Sequence, residues 1–535
     1  MPNMTGAQAL IQSLVREGVE VVFGLPGVQI MEAYNAFYDQ PGIRLITVRH
    51  EQSAGYMADG YARTTGRVGV ALVVPGPGAL NAAAAIGTAF AASSPVLLVS
   101  GQIDSNSLGQ RKGALHEVND QLDVFKPITK WNARTTKPEE IPRLVHMAVQ
   151  HTLDGRPRPV EIEIPFDVLP ASADMELLER EGTVKQAPDP AKVKQAAELL
   201  ARAERPLIWA GGGCREADIT TELADLAEAL NAPVITTPEG KGAIAENHPL
   251  SLGTFYYGHG PAYYSLPQAD VILAIGSRMN MNPRTPWSLH SGQTVIQIDA
   301  DPEELGRNVE PQVGMVADAK QGVNELLAEL GGSTKASQWN NGEMVEIRRQ
   351  AAEDLRRLAP LQVEIIETMR EELADDAIMV AGTTEVAYWG HLAFPVLKPR
   401  SYLTSSYFAT LGYAFPTALG AKVGNPNRQV VATIGDGGFM YASSELSTAV
   451  QEGINVVTLV FNNGLLGASR ADQMNRYQGR TIGTELHNPD FAQLAQVYGA
   501  LGLKLDDRRE LGPALHDALR ANSAGGSVII EMGGN

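Results

Sequence analysis

Residues 435–463 read GDGGFMYASSELSTAVQEGINVVTLVFNN, and the reading of this stretch decides the fold. Just ahead of it, residues 429–434 (QVVATI) form a β-rich run of strand length. Gly435, Gly437 and Gly438 let the backbone turn sharply around Asp436. Ser443 is placed to cap a helix in which Leu446, Ala449 and Val450 recur at helical spacing, and Gly453 ends it. Residues 455–461 (NVVTLVF) are then the next strand. The result is a β-α-β unit, so Asp436 and Asn463 are expected side by side at the carboxyl ends of two parallel strands, the edge where open α/β sheets bind ligands. One carboxylate and one carboxamide there suit a hard cation that takes oxygen ligands and shares the rest with a phosphate. Magnesium bridging a diphosphate is the natural occupant, with the amides of the glycine turn completing the cradle.

Working outward, strand-length apolar runs alternate with helix-patterned segments nearly everywhere, the signature of α/β domains with parallel sheets. In a first block, residues 19–23, 45–48, 68–74 and 96–99 read as strands, with the alanine-rich stretch 78–92 as a helix between them. The more polar segment 171–192, with Pro188 and Pro190, reads as a linker. A second block has strands at 206–210, 234–236, 271–275 and 295–298, and residues 331–341 (GGSTKASQWNN) mark its end. A helix over 343–359 leads into a third block with strands near 378–380, 429–434 and 456–461. Blocks one and three look like two versions of one doubly wound plan. The expectation is an α/β chain of three doubly wound parallel-sheet domains, over residues 1–171, 190–331 and 355–535.

A formal charge of −18, with no basic run or cationic stripe, removes the electrostatic attraction on which nucleic-acid and anionic-membrane binding depend. The opening MPNMTGAQALIQSL has none of the features of a signal peptide, and no apolar run reaches membrane-spanning length, so a cytoplasmic enzyme is expected. Cys214 is the only cysteine, which excludes an internal disulfide and a Cys-based metal site.

GDG followed at this spacing by NN, and continued as NNGLLG, resembles the diphosphate-binding signature of thiamine diphosphate (ThDP) enzymes. The resemblance implies Mg²⁺ ligation by the side chains of Asp436 and Asn463 and the carbonyl of Leu465, with Gly435, Gly437, Gly438, Leu466 and Gly467 around the diphosphate. It also requires a second half-site, and RHEQSAG (49–55) supplies one. Taken singly, Glu51 is equally a first-turn glutamate favoured by a helix dipole. Its neighbourhood, VVFGLPGVQI, RHEQSAGYMADGYAR, VVPGPGALN and SPVLLVSGQ, is similar in order and spacing to the pyrimidine-binding domain of the acetolactate synthase, pyruvate oxidase and benzoylformate decarboxylase group. The likeness to acetolactate synthase is the strongest.

In that group the glutamate shares a proton with the aminopyrimidine N1′ and so promotes loss of the thiazolium C2 proton; Glu51 takes this part by resemblance, with Pro26, Pro75 and Asn81 as further cofactor neighbours. SYFATLGYAFPTALGA (406–421) is similar to the segment that bends the cofactor into a V, which makes Leu411 the wedge and Ala409 a pyrimidine contact. AGTTEVAYW (381–389) falls where relatives contact the diphosphate and brings in Thr384, Glu385 and Val386. In the family, the glutamate of one subunit meets the diphosphate site of another, so a homodimer or homotetramer is implied.

RPLIWAGGG (205–213) ends a strand in a glycine cluster that is either a strand-to-helix turn or a nucleotide site. Synthases and pyruvate oxidases hold FAD in this domain, and LGTFYYGHG and IGSR stand in matching places. MNMNPR (279–284) departs from the usual acidic, arginine-containing run, so FAD stays open. Three substrate-pocket positions also depart from the synthase pattern: Val28 and Gln29 after GLPG, His116 where a glutamine is usual, and Asp472 where a tryptophan sizes the acceptor site. Leu466 completes the expected pocket. GALHEVNDQLDVFKPITKW and NNGLLGA also resemble benzaldehyde-lyase-type enzymes, in which His116 would shuttle a proton to a developing alkoxide.

The implied chemistry is attack on the carbonyl of a 2-oxo acid or 2-hydroxy ketone, loss of CO2 or an aldehyde, and transfer to a second carbonyl. Acetolactate synthase-like carboligation is the first reading; benzaldehyde-lyase or 2-oxo acid decarboxylase activity is the near alternative. A flavin-dependent oxidoreductase of the pyruvate oxidase type is the alternative of another class. A NAD-binding protein is disfavoured, since no GxGxxG follows a strand.

Overall fold

The computed structural model describes residues 2–280, 289–331 and 337–533. Residues 281–284 of MNMNPR and 332–336 of the second expected boundary lie outside them. The chain forms two compact units: one of Met1–Thr183, Met379–Thr384 and Ser405–Asn535, the other of Val184–Ile378 and Glu385–Thr404.

The first unit holds two parallel sheets. In the N-terminal sheet the strands lie in the order Arg44–Thr47, Val21–Gly24, Gly69–Val73, Val96–Gln102, Val160–Pro165 and Trp131–Arg134. The chain starts in the interior of this sheet and winds both ways, so the loops after Val21–Gly24 and Gly69–Val73 diverge and leave a crevice at the strands' carboxyl ends. Within the same unit the C-terminal sheet runs Ile378–Ala381, Val430–Gly435, Val457–Asn462, Val528–Gly533 and Leu501–Leu505. These five strands repeat the succession of the last five of the N-terminal sheet, as the likeness of blocks one and three anticipates. Three parallel-sheet domains are therefore present. The third belongs to the second unit, in the order Ser251–Thr254, Val234–Thr236, Pro206–Ala210, Val271–Ile275, Thr294–Asp299 and Val313–Val316.

Most expected strands form within one or two residues of their expected limits, because most are short apolar runs buried on both faces; the strand expected at 96–99 runs on to Gln102, and Arg44–Thr47 is only partly buried. One local expectation is corrected. Asp436–Met440 is a helical turn of its own, and the helix that follows, Glu445–Glu452, has Ser444 as its N-cap residue with no side-chain cap bond. Ser443 is thus not the cap: the glycine turn winds directly into helix and delays the second start.

Within the first unit the helix Glu51–Thr65 lies along the helix Ala414–Gly424. A Cβ on Gly60 would stand 2.0 Å from the Thr417 carbonyl oxygen, and one on Gly420 1.9 Å from that of Met57. Both glycines are what allow the two backbones to touch. Nearby, the buried Arg63 donates to the Tyr413 hydroxyl at 2.9 Å, and the Tyr56 hydroxyl lies 3.0 Å from Thr410 Oγ1. The helix that begins at Glu51 is therefore fixed along its length to the C-terminal half of the unit.

The strand Val160–Pro165 (VEIEIP) carries two buried carboxyls on one face. Glu163 is met by Gln102 at 3.0 Å, Gln121 at 3.1 Å and the Arg134 guanidinium at 2.8 Å. Glu161 lies against Glu163, and burial, reinforced by Glu163's charge, pushes its carboxyl well above the ordinary range. A carboxyl raised in the folded state costs nothing while it is protonated in both states, and costs stability once rising pH ionises it only in the unfolded chain. Glu161→Gln should therefore leave the Tm unchanged at acid pH, where the carboxyl is protonated in both states, and raise it increasingly as pH rises above the ordinary carboxylate range. Thermal melts of both proteins across this range check it; a Tm gain independent of pH would exclude titration as the cause.

Candidate active site

The first group of candidate residues surrounds the crevice of the N-terminal sheet. The strand Arg44–Thr47 leads into His50, whose ring accepts from the Gln52 amide and caps the helix that Glu51 begins. Glu51 is 8% exposed, and its Oε2 accepts from Asn81 Nδ2 at 3.0 Å. A Cβ on Gly78 would come within 3.4 Å of the other carboxylate oxygen, so the VVPGPGALN segment encloses Glu51 from the opposite side of the crevice. Pro75 is buried within this segment, whereas Pro26, Val28 and Asn81 are exposed.

His116 joins this group through the backbone. Gly76 has φ +59°, and a Cβ there would stand 2.4 Å from the His116 carbonyl oxygen, so only glycine admits the approach. The Gly76 amide donates to Gln121 Oε1 at 2.8 Å. His116 itself is held at φ +68°, an uncommon conformation for a residue with a side chain. Its Nδ1 is buried without a hydrogen-bond partner. So is Gln29 Oε1, while the same side chain's Nε2 donates to the Leu115 carbonyl at 3.3 Å. Buried polar atoms seldom go unpaired, and two of them on neighbouring segments mark a place for a ligand or ordered water.

The second group surrounds Asp436. The strands Val430–Gly435 and Val457–Asn462 pair in parallel with Gly435 opposite Phe461, so Asp436 and Asn463 emerge from the same edge. Asp436 is 2% exposed. Its Oδ1 accepts from the Gly437 amide at 2.7 Å, and its Oδ2 from the Gly464 amide at 2.8 Å and Asn488 Nδ2 at 2.7 Å. These bonds orient the carboxylate. Asn463 is exposed, and its Oδ1 accepts from the Leu465 amide at 3.0 Å. A Cβ on Gly437 would crowd Leu466 at 2.9 Å and Leu486 at 3.1 Å, and one on Gly467 would lie 3.8 Å from Asn463 Nδ2. Gly438 is buried beside Ile434.

One carboxylate, one carboxamide and a nearby backbone carbonyl form an all-oxygen set that suits Mg²⁺ shared with phosphate, not a metal held by protein alone. No cluster of three or more acidic, histidine or cysteine side chains that could hold a metal occurs among the described residues.

Thr384 closes the same crevice: its Cβ would be 3.8 Å from a Cβ on Gly435. Glu385 is exposed and Val386 buried at the start of the helix Glu385–Ala393. Ala409 is exposed with φ +50°, and half-buried Leu411 follows it just before Gly412 at φ +80°. Asp472 lies on the helix Gly467–Arg476, exposed and paired with Arg476 at 3.0 Å. Among the described residues, no hydrogen bond or ion pair joins the Glu51 group to the Asp436 group.

In the second unit the glycine cluster packs inward. The Gly211 and Gly213 amides donate to the carbonyls of Ile275 and Gly276 at 2.9 and 3.0 Å. A Cβ on Gly212 would stand 3.3 Å from that of Glu239, and Arg215 is buried against Glu216 at 2.8 Å. The amides that would cradle a flavin diphosphate are largely committed to protein, and a carboxylate-bearing side chain stands beside the turn.

Sequence reasoning missed Asn488, Gln121 and Glu445, which support the candidate residues from distant parts of the chain; no motif flags an asparagine in HNPD or a glutamine in NDQL.

Two doubly wound domains with polar groups gathered at the carboxyl edge of each sheet, plus a third of related design, define an α/β enzyme of the ThDP-binding class. Comparison with known families agrees: the N-terminal, central and C-terminal domain models of thiamine pyrophosphate enzymes match residues 4–124, 193–326 and 382–532. The chain belongs to the thiamine pyrophosphate enzyme family, and within it resembles the acetolactate synthases. It is 37% identical to a probable 2-ketoarginine decarboxylase of Pseudomonas aeruginosa, over 99% of this chain and 94% of the relative. It is 36% identical to a probable acetolactate synthase large subunit of Methanocaldococcus jannaschii, over 97% of this chain and 90% of the relative. With the acetolactate synthase large subunit of Corynebacterium glutamicum it shares 35% identity, over 99% of this chain and 87% of that one. It is an enzyme that uses ThDP to form or cleave carbon–carbon bonds.

Proposed function

We propose that the protein decarboxylates a 2-oxo acid with ThDP and Mg²⁺ and passes the two-electron-richer fragment to a second carbonyl, as in acetolactate synthesis. The observation that carries this reading is the pairing of Asp436 and Asn463 around a glycine turn at one sheet edge, with a buried, amide-bonded Glu51 at the corresponding edge of the other. Asp436, Asn463 and the Leu465 carbonyl would hold Mg²⁺; Thr384 and the turn at Gly435–Gly438 would receive the diphosphate. Leu411 would set the bend of the cofactor and Ala409 would meet its pyrimidine. ThDP supplies a nucleophilic carbon that accepts the charge left when CO2 departs. Glu51 holds and returns a proton at the pyrimidine, with Asn81 fixing its orientation. By the family resemblance, a homodimer or homotetramer with sites between subunits completes the proposal.

A second reading, decarboxylation without carboligation, rests on the residue at position 472. Asp472 stands where a synthase has tryptophan, and its exposed pair with Arg476 leaves the carboxylate able to exchange partners. A cationic 2-oxo acid such as 2-ketoarginine would be drawn to it. Incubation of the holoenzyme with pyruvate or with 2-ketoarginine, followed by proton NMR, separates the two: acetolactate from pyruvate supports the first, and an aldehyde from 2-ketoarginine with pyruvate untouched replaces it with the second. If both acids persist, 2-oxo acid chemistry is excluded for these substrates.

Under either reading His116, with its unpartnered buried nitrogen, moves a proton at the substrate oxygen. His116→Ala should lower kcat about tenfold to a hundredfold and leave ThDP affinity unchanged. A steady-state comparison with unchanged kcat removes His116 from the reaction.

A further inference from the structure

We propose that Glu445 is a positioning residue for Glu51, a proposal that rests on the cofactor reading above. Glu445 begins the helix Glu445–Glu452 in the C-terminal half of the first unit and has no exposed surface. Its carboxylate faces the start of the Glu51 helix: Oε1 and Oε2 accept from the Arg49 amide at 3.0 and 3.2 Å, with the His50 amide and the Ser53 side chain also bonded to it. Thr448 Oγ1 donates to Oε2 at 2.7 Å and so fixes the orientation of the acid. His50 supplies the local cap, but Glu445 is the acid that receives the amides immediately ahead of Glu51.

A carboxylate at the amino end of a helix is favoured by the unpaired amides and the dipole there, and charge-assisted bonds hold it more firmly than neutral ones. The same contact is tied down at its margins. Arg44 reaches the Glu452 carbonyl at 3.0 Å, and Arg49 reaches Gln451 Oε1 at 2.7 Å. The rotation and depth of the first helical turn, and with them the direction of the Glu51 side chain, are thus set by a residue from the C-terminal half of the unit.

The test measures exchange of the C2 proton of ThDP bound with Mg²⁺ to the full-length protein, alongside ThDP affinity and Tm. Glu445→Ala should slow exchange about tenfold or more with ThDP affinity near that of the unaltered protein. Glu445→Gln, which keeps an acceptor for the Arg49 amide, should regain most of the rate. Thr448→Val should show a smaller loss, which keeps the test decisive if the alanine variant does not fold. Wild-type exchange in a folded Glu445→Ala, or in both remaining variants without it, overturns the proposal, as does a slowing that merely tracks lost ThDP binding. Glu51→Gln serves as the reference: normal exchange there refutes the cofactor reading itself, whereas slow exchange there with normal exchange in Glu445→Ala refutes only the positioning role.

Discussion

Glu51→Gln should slow exchange of the C2 proton of bound ThDP by about a thousandfold, the scale of a lost general acid–base group, while the protein still folds and binds the cofactor. The structure explains why the effect should be confined to chemistry. Glu51 is buried, but its one side-chain bond, from Asn81 Nδ2, can also be accepted by a glutamine oxygen. The first helical turn is held by the backbone amides and Glu445, which the substitution leaves in place. What is lost is a group able to hold a proton against the pyrimidine. Quenched-flow exchange in D2O, read by proton NMR, measures it. An unchanged rate would remove Glu51 from cofactor activation.

The second large effect is expected on binding. Asp436→Asn should weaken Mg²⁺-dependent ThDP binding on the order of a hundredfold, because the site has a single carboxylate and an amide gives the metal no charge. Asn cannot reproduce every bond of Asp436, whose two oxygens serve the Gly437 and Gly464 amides and Asn488, so a modest fall in the Tm of the cofactor-free protein is expected as well. The distinguishing sign is the rise in Tm on adding ThDP and Mg²⁺: saturation at one hundred times Kd stabilises by about 2.7 kcal/mol, and the variant should lose most of this gain at the same concentrations. A variant that keeps the full rise would show that Asp436 serves only the loop.

The regions legible in the sequence share one physical property, namely local determination. The strands Pro206–Ala210, Val234–Thr236 and Val271–Ile275 fall on their expected residues, since an interior parallel strand is a short unbroken apolar run. Trp131–Arg134 and Leu501–Leu505 went unremarked: they are edge strands with partly exposed, mixed side chains. VEIEIP hides its place in the sheet behind two charges that only burial beside Gln102, Gln121 and Arg134 accommodates. The same division runs through the candidate site. Asp436 and Asn463 belong to one β-α-β unit, so their meeting follows from local order. Asn488 reaches Asp436, Gln121 reaches Gly76 and Glu445 reaches Arg49 only after the sheets have assembled, and no local pattern records those approaches.

The central claim is that the Glu51 and Asp436 groups are two halves of one site contributed by different subunits. Co-expression of Glu51→Gln and Asp436→Asn chains, with isolation of the mixed oligomer, tests it through C2-proton exchange of ThDP. If the halves meet between subunits, each mixed dimer holds one intact site of two, and its exchange capacity recovers to about half of that of the unaltered protein. Recovery no greater than either variant alone, in an oligomer shown to contain both chains, would contradict the account.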